Sequence, residues 1–438
     1  MSSYIPNPQA VQQDMLRFIG LSDISGLYSG IPDALRRAPP SLPDGMGELE
    51  VRRVVSGMAA RNTIFPSVLR GAGAYRHYIP AVVKAVASKE TFLTAYTPYQ
   101  AEVSQGVLQA IFEYQTGVCA LTGMDVSNAS AYDGASAAAE AAAMCRDRKR
   151  SRTLIASTVN PRTIAAVAAY SRAAGTPLTI LPAEKGLLDL DALRRAVGPD
   201  VASVIVQSPN YYGLIEDWRA SADICHGAGV KLIAACNPIA LALYKTPGER
   251  GADVAVGEGQ PLGMPLSFGG PYLGFMACAK GLTRQMPGRI VGETLDADGR
   301  RCYVLTLQAR EQHIRREKAS SSVCSNEALC ALTASAYMAA MGPHGMRQAA
   351  EQCHAKARYA ADALAEAGFA LRYASPFFHE FLTECPADPD ALMSRLEGEG
   401  ILGGLPTDGG ILWCVTEMNE RGEIDRAAAI CGEVRRHG

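Results

Sequence analysis

The sequence has no long apolar run and almost no excess of charge of either sign. No stretch of its 438 residues approaches the ~18 consecutive apolar residues of a transmembrane helix. Its 42 basic and 44 acidic residues give a net charge of −2, which argues against nucleic acid or a membrane surface as the main partner. The N-terminus lacks a basic stretch followed by an apolar one, so we expect no signal peptide.

Cysteine is present, but never in a paired motif. The twelve cysteines are scattered, and none forms a Cys-x-x-Cys pair. Without a signal peptide, we predict free thiols in a reducing cytoplasm rather than disulfides. Cys225 and His226 are adjacent, but no second pair at ligand spacing accompanies them, so we predict no metal site.

Short apolar runs alternate with helical patterns from residue 130 onward. The length and β-branched content of these runs are typical of buried strands. Such alternation predicts a three-layer α/β/α domain with a mostly parallel sheet covered on both faces. The predicted strands are residues 153–157, 178–181, 201–207, 231–236, 252–256 and 273–279.

The length of 438 residues suggests two or three domains. Residues 1–65 begin with a stretch rich in Pro, Gly and Ser, which predicts an arm that packs on a partner or on the large domain. Residues 66–324 form the predicted large domain, in which residues 296–299, Asp-Ala-Asp-Gly, mark a hairpin turn. Residues 325–438 are the predicted small α+β domain, with a helix break at Gly342-Pro343 and strand-like runs that include residues 369–373.

The pattern of residues 201–278 is typical of the cofactor half of an enzyme that holds pyridoxal phosphate (PLP). Such an enzyme needs a lysine after the last of these strands, because the cofactor is held there as an imine. The sequence at residues 257–263 is Gly-Glu-Gly-Gln-Pro-Leu-Gly. Gln260 and Pro261 cannot form an imine, so the expected lysine is missing.

A second residue of the expected cofactor site is also altered. In a PLP enzyme, an acidic side chain at the end of a strand pairs with the pyridinium nitrogen and keeps it protonated. The corresponding residue after the run 231–236 is Asn237, which is neutral. Two independent changes therefore indicate that this chain does not hold PLP in the usual way.

A small-residue turn opens the alanine-rich segment that follows residue 132. Asp133, Gly134 and Ser136 stand at the start of the predicted helix, whose free N–H groups and dipole could cradle a phosphate. Alternatively, Asp133 or Ser136 simply caps the helix, and the small residues allow close packing. The sequence leaves both interpretations open.

Two tyrosine-rich segments could line a pocket or an interface. Tyr96, Tyr99 and Gln100 precede a predicted helix, and His77 and Tyr78 lie in an earlier Gly- and Tyr-rich stretch. Tyrosine joins an apolar ring to a polar hydroxyl and so suits both kinds of surface. A half-buried structural role is the commoner case, and a lone histidine such as His77 is more often structural than catalytic.

Long runs of residues resemble one known family. The runs are residues 94–106 (TAYTPYQAEVSQG), 112–115 (FEYQ), 121–125 (LTGMD), 128–134 (NASAYDG), 257–271 (GEGQPLGMPLSFGGP) and 310–318 (REQHIRREK). They resemble the α subunit (subunit 1) of the P-protein, the glycine dehydrogenase (decarboxylating) of the glycine cleavage system. The family commonly has Asp where this sequence has Asn237, and Lys-Ala-Thr-Ser-Asn-Ile-Cys-Thr where it has KASSSVCS at residues 318–325.

The resemblance implies a fold-type-I, aspartate-aminotransferase-like PLP-transferase fold. It implies that a β subunit (subunit 2) holds PLP on its lysine, that the two subunits form an α₂β₂ assembly, and that this chain carries no catalytic residue. The assembly would decarboxylate glycine and pass the aminomethyl group to the lipoyl group of H-protein. Together with the tyrosine-rich loop, the resemblance implies that Tyr96, Tyr99 and Gln100 lie nearest a shared pocket, followed by His77 and Tyr78.

Two other functions stay open at this point. An autonomous aminotransferase-like enzyme would need another lysine, and Lys231, Lys245 and Lys280 lie nearby in the sequence. Lys245 belongs to a turn before the run 252–256 rather than to the segment after it, and geometry disfavours all three. The other function is that of a structural or regulatory pseudoenzyme, which requires a partner that is fully active alone.

Overall fold

The computed structural model describes residues 7–37, 41–94, 97–310, 312–319, 321, 323 and 327–437. The chain divides into two compact units, of which one ends at Thr63 and the other begins at Ile64. Among the residues that the structure describes, every helix is too short or too polar to span a bilayer.

The helices are labelled in chain order. Those within the described residues are α1 Gln9–Phe18, α2 Glu48–Ala59, α3 Ala81–Ala87, α4 Glu90–Leu93, α5 Gln105–Thr122, α6 Gly134–Met144, α7 Pro161–Ala173, α8 Leu190–Ala196, α9 Trp218–Gly227, α10 Gln312–Arg315, α11 Ala328–Glu366, α12 Pro389–Gly398 and α13 Arg421–His437.

The strands are labelled in the same way. They are β1 Ser67–Val68, β2 Val126–Ser127, β3 Arg152–Ala156, β4 Leu178–Leu181, β5 Ala183–Glu184, β6 Leu187–Leu188, β7 Val201–Ser208, β8 Lys231–Cys236, β9 Val254–Glu258, β10 Gly274–Cys278, β11 Ile290–Leu295, β12 Arg301–Thr306, β13 Glu380–Thr383, β14 Ile401–Leu402, β15 Leu405–Thr407 and β16 Gly410–Cys414.

The N-terminal unit has very little core of its own. Leu16 is the one buried side chain among its described residues. Helix α2 carries an apolar stripe at helical spacing, and every member of the stripe is exposed: Val51, Val54, Val55 and Met58. Apolar side chains at this spacing often mark an interaction surface, and the packing arm stays a prediction.

The second unit is built on a seven-stranded sheet in the order β2-β10-β9-β8-β7-β3-β4. Strands β4, β3, β7, β8 and β9 pair in parallel, and β10 runs antiparallel to both β9 and β2. In β8, Leu232 and Ile233 point to opposite faces of the sheet and are both fully buried. The mostly parallel sheet covered on both faces is therefore confirmed.

A second, smaller core lies in the C-terminal part of the chain. Trp413 and Phe381 pack there with residues from α11, α12 and α13 around the antiparallel sheet β13-β16-β15. The break in α11 falls at Gly342, whose φ of 60° is not helical. The predicted hairpin is also present, because β11 and β12 pair on either side of residues 296–299.

One local prediction was wrong, and one short strand was not predicted. Residues 369–373 do not form a strand, because their pairing is limited to one isolated bridge between Leu371 and Thr383. The sequence also gave no sign of β1, which pairs in parallel with β14 over residues 401–402. Both strands of that pair are only two residues long, too short to produce a periodic pattern.

Candidate functional site

The N-terminus of helix α6 is occupied by a carboxylate from the same chain. Asp133 caps the helix, since its Oδ1 accepts a hydrogen bond from the Ser136 backbone N at 2.6 Å. The Gly134 backbone N donates to Glu258 Oε2 at 3.0 Å. The capping interpretation therefore has direct support, and an anion at the Gly134 N–H would have to displace Glu258.

Glu258 is fixed in this position by the loop that follows β9. Its Oε1 accepts hydrogen bonds from the backbone N atoms of Gln260 at 3.0 Å and Leu273 at 3.1 Å. Burial raises the pKa of Glu258 to about 7, although the three N–H donors act in the opposite direction. A Cβ at Gly134 would lie 2.8 Å from the Glu258 backbone N, so only glycine allows this close approach.

Gln260 stands in the segment where the lysine is missing, and its side chain holds the backbone of another segment. Its Oε1 accepts from the Tyr75 backbone N at 2.9 Å, and its Nε2 donates to the Tyr75 backbone O at 2.9 Å. The same Nε2 donates to the Met264 backbone O at 2.7 Å. A lysine has no acceptor and could not make the first of these bonds. Gln260 and the adjacent Pro261 are both buried.

Asn237 likewise has a local structural role. Its Oδ1 accepts from the backbone N atoms of Ile239 at 2.9 Å and Ala240 at 3.3 Å, and so caps the turn after β8. Its Nδ2 is buried without a hydrogen-bond partner in the described part of the chain. The residues at this edge of the sheet thus do not fit PLP: the imine-forming lysine is absent, the helix N-terminus is filled, and the acidic partner is an amide.

Residues 71–78, which we call the strap, lie across the carboxyl edge of the sheet. Gln260 after β9 holds Tyr75, and Asn160 after β3 donates from Nδ2 to the Ala72 backbone O at 3.1 Å. The carboxyl ends of the strands are where open α/β sheets bind ligands. The strap therefore covers the part of this chain where a cofactor would be expected.

A buried carboxylate from β13 fixes the strap further. Glu380 accepts from the Tyr75 hydroxyl at 2.7 Å and from the Ala72 backbone N at 2.6 Å. Burial raises the pKa of Glu380 to about 7, and these hydrogen bonds lower it by less.

The structure places His77 and Tyr78 on different sides of the strap. His77 is 6% exposed, and its Nδ1 lies 2.8 Å from Glu417 Oε2. The Tyr78 backbone N donates to Glu417 Oε1 at 2.6 Å, while the Tyr78 side chain is 53% exposed.

Burial alone would raise the pKa of Glu417, but the hydrogen bond and charge of His77 and the Tyr78 N–H lower it to about 2.

Tyr99 and Gln100 are both exposed. The Tyr99 hydroxyl accepts a hydrogen bond from Arg289 Nη2 at 2.7 Å, and the guanidinium lies 4.8 Å from the ring centroid. Arg289 is only 3% exposed, so a buried guanidinium holds the exposed side chain of Tyr99. Tyr96 lies outside the described residues.

The three alternative lysines do not approach the cofactor edge. Lys231 begins β8, at the end of the strand opposite Asn237, and pairs with Asp253 at 3.3 Å. Lys245 is exposed and pairs with Glu249 at 3.0 Å. Lys280 is exposed and follows the far end of β10. Their placement agrees with the expectation that none of them holds a cofactor.

Sequence comparison identifies the family. Residues 2–430 match the family model described as glycine cleavage system P-protein. The chain belongs to the glycine cleavage system P-protein family. A P-protein relative from Moorella thermoacetica, described as probable glycine dehydrogenase (decarboxylating) subunit 1, is 48% identical over 98% of this chain and 98% of its own length.

Solved structures confirm the fold. A crystal structure of glycine decarboxylase (P-protein) of the glycine cleavage system, in an inhibitor-bound form, superposes with a TM-score of 0.94 and 40% identity. The superposition covers 99% of this chain and 100% of that one. A sphingosine-1-phosphate lyase from Burkholderia pseudomallei has a TM-score of 0.67 at 16% identity, over 92% and 95% of the two chains, and so shares the fold alone. The predicted fold-type-I PLP-transferase-like fold is confirmed.

Several polar residues of this P-protein site were not found from the sequence. Glu258 lies inside the run GEGQPLG, but nothing in that run indicated that its carboxylate would fill the start of α6. Glu380 and Glu417 lie more than three hundred positions from the strap residues that they bind. No local spacing rule connects residues so far apart.

Proposed function

We propose that this chain is the α subunit (subunit 1) of a glycine cleavage P-protein and holds no PLP of its own. A β subunit, glycine dehydrogenase subunit 2, would carry PLP on its lysine. The assembly would decarboxylate glycine and transfer the aminomethyl group to the lipoyl group of H-protein. The observation that best supports a chain without its own PLP is the hydrogen bond from the Gly134 N–H to the Glu258 carboxylate, at a position where a phosphate would otherwise bind.

The proposed contribution of this chain is a surface that completes the partner's pocket. The side chains of Tyr78 and Tyr99 are both exposed, and buried groups hold their residues: Glu417 accepts from the Tyr78 backbone N–H, and Arg289 donates to the Tyr99 hydroxyl. Fixed aromatic side chains with polar tips suit a pocket that must orient a small polar substrate and exclude water. We therefore place Tyr99, with Tyr96 and Gln100, at the shared pocket.

The role proposed for His77 differs from that of Tyr78. Because the His77 ring is buried against Glu417, it would hold the strap in place rather than touch glycine. Tyr78 is the strap residue whose side chain would reach the shared surface.

We also propose that residues 1–65 are an arm that packs on another subunit of an α₂β₂ assembly. The exposed stripe of Val51, Val54, Val55 and Met58 supports this, because a continuous apolar helix face is unfavourable in water. Residues 66–324 and 325–438 would be the large and small domains. We place the assembly in the cytoplasm, and the absence of disulfides among the eleven described cysteines suits a reducing compartment.

Activity measurements on the separate and combined subunits test the proposal. Each chain is purified alone and then mixed, and glycine decarboxylation is measured by exchange of labelled bicarbonate into glycine in the presence of lipoylated H-protein. We expect no exchange from this chain with added PLP, and full exchange only from the mixture. Exchange by this chain alone would establish an autonomous enzyme instead. Full exchange by the partner alone would establish a structural or regulatory role.

A further inference from the structure

Three side chains that bind metals well converge beneath the strap. A ring nitrogen of His77, the Cys353 thiol and a Glu417 carboxylate oxygen all lie within 4.8 Å of one another. Cys353 Sγ is 3.1 Å from Glu417 Oε2, and His77 Nδ1 is 2.8 Å from the same oxygen. The three residues come from the strap, α11 and the segment after β16, so the fold alone brings them together.

The three side chains are almost completely shielded from solvent, and their surroundings are unfavourable for a free thiolate. Cys353 is fully buried, and the side chains of His77 and Glu417 are 1% and 11% exposed. Burial and the adjacent Glu417 raise the pKa of the Cys353 thiol well above its ordinary value. A divalent cation between the three groups would reverse this by stabilising both negative charges.

A buried histidine beside the cluster lacks hydrogen bonds. His379 is 1% exposed, and neither of its ring nitrogens has a partner among the residues described here. Its ring lies 6.2 Å from that of His77, with 13° between the ring planes. His77 Nε2 is also buried without a partner within the described chain. Buried polar atoms are nearly always satisfied, so these three nitrogens need an explanation.

We propose that His77, Cys353 and Glu417 bind one divalent transition-metal ion, with Zn²⁺ as the favoured metal, while His379 lies beside the cluster without belonging to it. Nitrogen, sulfur and oxygen donors in a four-coordinate arrangement are the set that Zn²⁺ prefers in proteins. Binding of Zn²⁺ releases the proton of the Cys353 thiol to solvent, and the thiolate and the Glu417 carboxylate then balance the charge of the ion.

The site would join three parts of the chain that no covalent bond connects. Its ligands lie on the strap, on α11 and after β16, so a bound ion would lock the strap that carries Tyr78. The neighbouring charged group is Lys356, whose Nζ donates to the Glu417 backbone O at 2.5 Å. The positive charge of Lys356 opposes the binding of a metal cation nearby, but it also favours the thiolate form of Cys353. The metal site does not depend on the proposed function, because it needs neither PLP nor a partner.

Titration with Co²⁺ tests the proposal on the full chain, freed of any affinity tag and treated with a chelator. We expect one Co²⁺ per chain, a near-ultraviolet band from sulfur-to-cobalt charge transfer, and displacement by Zn²⁺. Cys353→Ser should abolish the sulfur band. The matched control is Cys225→Ser, which alters another buried thiol beside a carboxylate and should leave the band unchanged.

The spectrum of the wild-type chain decides the outcome even if a variant folds poorly. The proposal would be overturned if the folded wild-type chain bound less than one Co²⁺ per chain, or bound Co²⁺ without a sulfur-to-cobalt band. So would a sulfur band that survives in Cys353→Ser. Glu417→Gln provides a second check, because it keeps the shape of the side chain and should weaken binding without removing the band. Circular dichroism confirms folding of each variant.

Discussion

Glu258 accepts a hydrogen bond from the Gly134 N–H at 3.0 Å, at the start of α6, where a phosphate could otherwise bind. The carboxylate is an internal anion that substitutes for an external one. This contact supports the proposal that PLP belongs to the partner, because a side chain of this chain occupies the position of a phosphate.

The Glu258–Gly134 contact predicts that removing the carboxylate opens the helix N-terminus. We expect Glu258→Ala to bind inorganic phosphate measurably, whereas the wild-type chain does not. Phosphate binding can be followed by isothermal titration calorimetry or by ³¹P line broadening. Glu249→Ala is a suitable control, because Glu249 is an exposed carboxylate away from α6. Equal phosphate affinity in the wild type and Glu258→Ala would contradict this prediction.

Restoring a lysine should not restore a cofactor site. Gln260→Lys removes the acceptor for the Tyr75 N–H and brings a charge into a buried position. We expect a loss of about 2 kcal/mol in the free energy of unfolding, and no PLP absorbance. Gln308→Lys, at an exposed position, should cost little. An imine-type PLP band in Gln260→Lys would show that the strap leaves room for the cofactor.

Glu380 should make stability depend on pH in a specific direction. Burial raises its pKa to about 7, so the folded chain binds this proton more tightly than the unfolded chain does. The contribution of protonated Glu380 to the stability of the fold is fully present below the ordinary pKa of 4.5, and it is lost as the pH rises through about 7. Glu380→Gln mimics the protonated form at every pH. The difference in free energy of unfolding between this variant and the wild type should therefore shift by about 3 kcal/mol in favour of the variant from pH 4.5 to pH 8.

Urea unfolding at several pH values measures this effect. The exposed Glu384, which pairs with Arg372 at 3.3 Å, provides the control variant Glu384→Gln. A stability difference between Glu380→Gln and wild type that stays constant across the pH range would refute the role of Glu380.

The tyrosine loop should affect catalysis by the assembly without affecting its formation. Tyr99→Phe loses the hydrogen bond to Arg289 and should change turnover or glycine affinity severalfold in the reconstituted pair. Tyr96→Phe should act similarly. Tyr170→Phe, on the outer surface of α7, is the control. Unchanged kinetics in both loop variants would remove Tyr96 and Tyr99 from the shared pocket.

The arm should control assembly. Val54→Ser combined with Val55→Ser interrupts the exposed stripe of α2 and should weaken association with the β subunit at least tenfold, as measured by analytical ultracentrifugation. The matched control replaces Arg53 on another face of the same helix with Ser. Undiminished association of the double variant would mean that this stripe is not an interface.

The general architecture was predictable because apolar periodicity determines it. Buried strands such as β7 and β8 consist of apolar runs, and the absence of lysine at Gln260 is visible in the sequence itself. The contacts that fill the site were not predictable. His77 and Glu417 are 340 positions apart, and only the closed fold brings them within hydrogen-bond distance. The same distance explains why the sequence predicted no metal site.

The central claim is that PLP belongs to the partner and not to this chain. The most direct test is borohydride reduction of the reconstituted assembly, followed by peptide mapping of both chains by mass spectrometry. We predict a phosphopyridoxyl-lysine on the β subunit and none on any lysine of this chain. A stoichiometric adduct on Lys231, Lys245, Lys280 or any other lysine of this chain would contradict the account.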